Sequence, residues 1–171
     1  MPTLLTPIEI GRLQLRNRIV MPAMHLLYTP DGEVSERFTA FYEERAKGGA
    51  GLLIVGGCAV DEYSGGRELI GLDHDRFIPG LERFTTAIHA HGALVAAQLY
   101  QAGRYAHSFL IGRQAIAPSP LPSRFTHETP REMTREDIEN VIESYAAAAV
   151  RARKAGFDAV EILASAGYII S

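Results

Sequence analysis

Gln98 interrupts the apolar run Leu94-Val95-Ala96-Ala97-Gln98-Leu99-Tyr100 near its C-terminal end. A buried amide costs free energy unless it is hydrogen-bonded, so this side chain wants a planar polar partner. That partner is either its own loop, Gln101-Ala102-Gly103-Arg104-Tyr105, or a ligand. Gly56-Gly57 stands in a second apolar run, residues 51–60. A glycine pair weakens a strand unless a neighbouring backbone or a ligand ring comes close to it. Ala23, within Pro22-Ala23-Met24-His25, is small enough to let a flat ligand approach the backbone. Cys58 is the only cysteine and reads as a small apolar residue of its strand. His89 and His91 are two apart and do not share a helix face, so they read as solvated helix-end histidines and no metal site is expected.

Repeating units place these residues. Residues 4–10 and 13–15 read as two short strands turned at Gly11-Arg12, a hairpin that plugs the bottom of a larger body. Residues 18–21 form the first core strand, and Pro22, lacking an N–H, suits its end. Ser35 caps a helix from Glu36 to Lys47 that stops at Gly48-Gly49. The second strand, 51–60, leads through a polar loop, 61–75, to a helix that starts at Ile78 or Leu81 and ends by His91. The third strand, 94–99, leads into a long irregular segment, 101–132, held extended by Pro118, Pro120 and Pro122. Loops of that length are usually functional. Thr134, with Asp137 three residues on, starts the last helix. Its apolar set Ile138, Val141, Ile142, Tyr145, Ala149 and Val150 predicts one buried face. A fourth strand, 157–163, leaves through Ala164-Ser165-Ala166-Gly167-Tyr168.

Four strand–helix units, the last without its helix, predict an α/β protein with a parallel sheet and right-handed crossovers. A doubly wound sheet and a β/α barrel both satisfy this order. The first βα turn lacks G-x-G-x-x-G and the chain lacks G-x-x-x-x-G-K-[ST], which argues against a dinucleotide-binding Rossmann site and excludes a P-loop. A full barrel takes about 250 residues. Four units and a bottom hairpin fit the first half of a TIM (β/α)8 barrel, a single unit over 1–171 with no second domain. The chain is 47% apolar with a net charge of −3, enough for a real core and no reason to expect nucleic acid or an anionic membrane as partner. A lone cysteine, no apolar run long enough to cross a bilayer and no signal-peptide pattern fit a cytoplasmic protein.

Several stretches taken together resemble the N-terminal half of the old yellow enzyme family, the FMN-dependent ene-reductase barrels. They are Leu4-Leu5-Thr6-Pro7-Ile8-Glu9-Ile10-Gly11, Asn17-Arg18-Ile19-Val20-Met21-Pro22-Ala23-Met24 and Phe41-Tyr42-Glu43-Glu44-Arg45-Ala46. Gly56-Gly57, Gln98-Leu99 with Gly103-Arg104, and Gly156-Phe157-Asp158-Ala159-Val160-Glu161-Ile162 follow in the family's order. The details are most similar to the long-chain branch of 2,4-dienoyl-CoA and 2-enoate reductases.

The resemblance implies FMN as cofactor and NAD(P)H as hydride donor. It implies that flavin N5 passes hydride to the β-carbon of an unsaturated carbonyl or thioester. Pro22, Ala23, Met24 and His25 then run beside the flavin ring, Gly57 faces it, and Gln98 hydrogen-bonds its pyrimidine edge. The chain departs from many members in carrying Gln101 where they have His before Ala-Gly-Arg. It also carries Leu163 and Ala166 where they have a carbonyl-binding His-x-x-His or His-x-x-Asn pair. In the dienoyl-CoA branch a tyrosine after glycine donates the proton, and Tyr168 after Gly167 matches it. The later units that hold the FMN phosphate are not in this chain, nor are the cysteines of an iron–sulfur cluster, so the resemblance allows such a cluster, or FAD, only in a further C-terminal part. Expected partners are therefore a complementary C-terminal half, from the same or a second polypeptide, or self-association. A non-catalytic half-barrel and a flavin-free barrel are the rival readings.

Overall fold

The computed structural model describes residues 3–66 and 68–171. A hairpin opens the chain: β1 (Ile8–Ile10) pairs antiparallel with β2 (Leu13–Leu15). The body follows as β3 (Val20–Met21), α1 (Glu36–Lys47), β4 (Leu52–Ala59), β5 (Ile70–Gly71), α2 (Ile78–His89) and β6 (Leu94–Tyr100). It closes with α3 (Ser108–Ile111), β7 (Ile116–Ala117), β8 (Arg131–Glu132), α4 (Arg135–Lys154) and β9 (Ala159–Ile162).

The main sheet runs β3-β4-β6-β9, every neighbouring pair parallel, with β5 added beside the end of β4. Each main strand lies next to its predecessor in the chain. A doubly wound sheet reverses its strand order at a switch point and puts helices on both faces. Here the order never reverses, and the helices share one face. Phe38, Tyr42 and Ala46 of α1, Leu81, Phe84 and Ile88 of α2, and Tyr145, Ala148 and Ala152 of α4 pack in one core with Leu53, Val55, Val95, Ala97 and Leu99. The other face carries a second cluster, Leu52, Ile54, Leu94 and Ala96 against Ile8, Leu13 and Leu15 of the hairpin. Those sheet residues lie toward the N-terminal ends of their strands, so the hairpin covers that end and leaves the C-terminal ends for a site. This is half of a β/α barrel with its bottom plug.

Local chemistry explains the helix boundaries. Ser35 Oγ accepts from Phe38 N at 3.1 Å, capping α1. Thr134 and Asp137 form a reciprocal capping box at the start of α4, and Arg131 reaches Asp137 through both terminal nitrogens at 2.7 and 2.9 Å. Arg16 donates to the carbonyls of Ala46, Ala50 and His91, placing a cation where α1 and α2 end.

Three expectations change. The 61–75 loop contains β5. Segment 101–132 contains a short 3-10 turn, Gly103–Tyr105, then α3 and the parallel pair β7–β8. Two-residue strands are too short to carry an alternating pattern, so composition alone reads them as loop. The apolar stripe of α4 splits: Tyr145 is buried beside Ala148 and Ala152, whereas Ile138, Ile142 and Val150 are 45%, 64% and 55% exposed. The helix is covered on the flank toward α2 and open on the other. Among the described residues, no helix is long and apolar enough to cross a membrane.

Candidate active site

The site begins with a fault in the sheet. Val55 pairs with Ala97, but the next rung joins Cys58 to Leu99, so Gly56 and Gly57 together stand opposite Gln98. That is a β-bulge, a device that bends a strand and re-aims side chains beside active sites. A Cβ on Gly56 would stand 2.6 Å from Gln98 Oε1 and 2.9 Å from Ala23 Cβ; one on Gly57 would stand 2.9 Å from Tyr100 Cβ. The close neighbours that the glycine pair demands are thus side chains of the adjoining strand and of the segment after β3.

On the other side of β6, Gln98 shares a rung with Glu161 of β9, and its Nε2 donates to Glu161 Oε1 at 2.7 Å. A carboxylate only accepts, so the amide nitrogen must face Glu161. The amide oxygen is left toward Gly56 and Ala23.

Ala23, Met24, His25, Gly57, Gln98 and Tyr168 line a cavity of about 210 Å³ at the C-terminal end of the sheet. Leu163 joins them. Pro22 is outside the lining and exposed at the end of β3. His25 Nε2 donates to the Glu68 carbonyl at 3.1 Å, and Thr29 Oγ1 donates to the same oxygen at 2.7 Å.

Tyr168 is fixed from two sides. Its ring meets Tyr100 edge-on at 4.9 Å and 74°, and Tyr105 at 5.5 Å and 89°, geometries that aromatic quadrupoles favour. Burial, with Tyr168 alongside, pushes the Tyr100 hydroxyl well above the ordinary phenol range. Behind the rings the backbones touch. Gly103 has φ +57°, and a Cβ there would lie 2.8 Å from Ile169 N and 3.0 Å from Tyr168 C. Ile169 N donates to Gln101 O at 3.3 Å. The loop after β6 therefore seats the turn after β9, and only glycine fits the seat.

Tyr100, Tyr105 and Glu161 are site residues that sequence reasoning gave no role. Glu161 had one available signal: in a parallel sheet it falls on the rung of the amide at 98. Tyr100 ends β6 and Tyr105 lies in the turn that follows it, and nothing local in either announces the contact with Tyr168.

These features define a β/α half-barrel with a cavity at the strand ends, and comparison with known proteins supplies the family. Residues 3–171 match the NADH:flavin oxidoreductase / NADH oxidase family, and the chain belongs to it. A protein described as "Metal reductase" from Desulforamulus reducens is 58% identical over 171 residues, 100% of this chain and 26% of that protein. Morphinone reductase in complex with tetrahydroNAD superposes with a TM-score of 0.93 at 30% identity, over 99% of this chain and 51% of that one. A 2-naphthoyl-CoA reductase–2-naphthoyl-CoA complex gives 0.91 at 30% identity, over 97% and 28%. The chain thus spans between about a quarter and half of the length of these relatives. The fold is half of an old yellow enzyme-type TIM barrel.

Proposed function

We propose that this chain carries the flavin-ring face and the proton donor of an FMN-dependent reductase of activated C=C bonds, with NAD(P)H as reductant. The observation that carries this reading is the convergence of Ala23, Met24, His25, Gly57, Gln98 and Tyr168 on one cavity at the strand ends. The residues fit the ring edge of a flavin. Gln98 Oε1 accepts no hydrogen bond among the described residues, and it stands beside the small Ala23. When bound, FMN supplies two-electron chemistry between a nicotinamide and the substrate.

The chain's own residues do the rest. Gln98 accepts from the imide N–H of the ring edge and so sets its orientation. Ala23 and Gly57 leave room for a flat group, while Met24 borders it. The Tyr168 hydroxyl gives a proton to the substrate carbon next to the carbonyl. Phenols titrate near pH 10 in water, so donation is effective only as charge builds on that carbon. The His25 imidazole lines the same cavity, its Nε2–H held by the Glu68 carbonyl.

The open side of the molecule receives the remainder of the barrel. Val160 and Ile162 of the edge strand β9 are 40% and 56% exposed, and they adjoin the exposed flank of α4. An unpaired apolar edge of this kind recruits another strand, from a longer chain, a second polypeptide or a second copy. The thioester in the naphthoyl-CoA complex and the unsaturated ketones of enone chemistry are the substrate types in view.

The test is the visible spectrum and intact mass of the native protein, followed by NAD(P)H oxidation with an enoyl or enone substrate. Flavin bands and substrate-dependent oxidation are expected. Flavin-free protein without turnover, once the complementary half is present, would reject the reading. The relative described as a metal reductase motivates a second reading, in which reduced flavin passes electrons to a metal ion. That transfer needs no carbon protonation, so Tyr168→Phe separates the two: C=C reduction falls and metal reduction does not.

A further inference from the structure

We infer that Gln101 is a positioning residue for Tyr168: its side-chain oxygen holds the turn that seats the tyrosine. The inference rests on the reductase reading above and adds to it a residue outside the cavity lining. Gln101 is wholly buried where β6 gives way to the Gly103–Tyr105 turn. Its Oε1 accepts from Gly103 N at 2.7 Å, two residues on. Its main-chain carbonyl accepts from Ile169 N, the residue after Tyr168, at 3.3 Å. Tyr100, the residue before it, meets the Tyr168 ring edge-on. One residue thus bears on the Gly103 seat, on the backbone beside Tyr168 and, through its neighbour, on the tyrosine ring. The turn has no other side-chain cap, because Ala102 stands at its N-cap with no oxygen to offer. Gly103 is itself buried, so its N–H would be left enclosed without an acceptor if Gln101 turned away.

Keeping this amide is costly to the fold. Among the described residues, Gln101 Nε2 is buried without a hydrogen-bond partner. An apolar side chain of the same length would fill the space without that penalty, so packing alone does not call for glutamine. The amide is oriented from behind, as that of Gln98 is. Burial raises the Asp61 carboxyl, and the Tyr63 N–H, the Ser64 hydroxyl and the Gln101 amide draw it back down. Burial likewise pushes the Tyr145 hydroxyl up to about 12, with the Asp61 charge adding to the rise and the Gln101 backbone opposing it. The Tyr145 hydroxyl is also enclosed without a partner among the described residues. Asp61 from the loop after β4, Gln101 from the end of β6 and Tyr145 from α4 therefore share one enclosed polar patch. A carboxylate only accepts, so the Gln101 NH2 belongs on the Asp61 side and its oxygen on the Gly103 side.

The experiment uses the whole flavin-loaded protein that contains this chain, in wild type, Gln101→Met and Gln101→His, at about pH 8. Methionine keeps the length and removes the acceptor, whereas a neutral imidazole restores an acceptor nitrogen. The readouts are hydrogen exchange of the peptides spanning 101–106 and 166–171, the urea midpoint, and kcat and KM for C=C reduction. In Gln101→Met exchange in both peptides is expected to quicken about tenfold or more. Flavin content, the β6 peptide and the urea midpoint are expected to hold, because the variant also removes the unpaired NH2. The kcat is expected to fall about tenfold with KM little changed, and Gln101→His to recover most of both losses. A role in packing alone would instead lower the urea midpoint and loosen β6 together with the turn, and that result overturns the inference. Unchanged exchange at 166–171 in Gln101→Met overturns it too, as does a Gln101→His variant no better than Gln101→Met. Where a variant folds poorly the wild type decides: slow exchange at the Gly103 and Ile169 amides is required, and free exchange at either overturns the inference. Loosened peptides with unchanged turnover count against the donor role of Tyr168 alone. A fall in kcat with both peptides still protected counts against this inference alone.

Discussion

Gln98 is clasped by Glu161 across β6 and β9, nitrogen to carboxylate at 2.7 Å, so its carbonyl oxygen and not its NH2 is what the cavity sees. We expect Gln98→Ala to weaken FMN binding by about tenfold and Glu161→Ala, which frees the amide to turn over, by less, the sizes set by the worth of one hydrogen bond. Flavin retained per protein after ultrafiltration measures both. Unchanged flavin content in Gln98→Ala would remove the orienting role.

Gly103 is the seat of Tyr168. In Gly103→Ala the new methyl collides with the Tyr168–Ile169 backbone, at 2.8 Å from Ile169 N. We expect a fall in kcat of at least about tenfold with flavin content retained, since misplacing a reacting group by a fraction of an ångström already costs rate. Tyr168→Phe is expected to lose about a hundredfold or more in C=C reduction, the usual worth of a general acid. Full activity in both variants would exclude Tyr168 as the donor.

Asp61 gives a pH signature. Burial raises its carboxyl above the ordinary range, although the Tyr63 N–H and the Ser64 hydroxyl both donate to it. The folded state then holds the proton more tightly than the unfolded one. This contribution to stability is present in full below the unfolded value of about 3.9 and is lost as pH rises through the folded value. Asp61→Asn keeps an acceptor for both donors and removes the charge. We expect a higher urea midpoint for this variant at pH 7 than for wild type, with the difference shrinking toward pH 4. An equal gap at both pH values would contradict the assignment.

The α4 cap is a stability test independent of the site. Thr134→Ala removes one side of the capping box and should cost about 1 kcal/mol in urea unfolding. A loss below about 0.3 kcal/mol would mean that packing on Tyr145, Ala148 and Ala152 carries the helix start as well.

Elements with a chemical boundary were legible from the chain. Ser35 and Thr134 mark their helices because a hydroxyl at the N-cap meets an unpaired N–H, a relation confined to a few residues. Gln98 and Gly56-Gly57 were conspicuous because each violates the composition of an apolar strand. Their mutual relation was not legible, because a bulge is a property of two strands and each strand alone reads as regular. Ile138, Ile142 and Val150 were expected inside because periodicity reports which face is apolar, not whether a neighbour covers it. Asp61, Gln101 and Tyr145 come together from three places along the chain, a convergence that no local pattern encodes.

The extra residue at Gly56-Gly57 also decides the fate of the single thiol in this chain. Val55 and Cys58 are three apart, so a regular strand would put them on opposite faces; the bulge returns both to the helix-covered face. Cys58 is consequently wholly enclosed, and burial holds its thiol far above the ordinary range. Thiolate is the form that oxidants and alkylating agents attack. The kink that shapes the cavity therefore also turns the one thiol of this chain away from it, onto the helix-covered face.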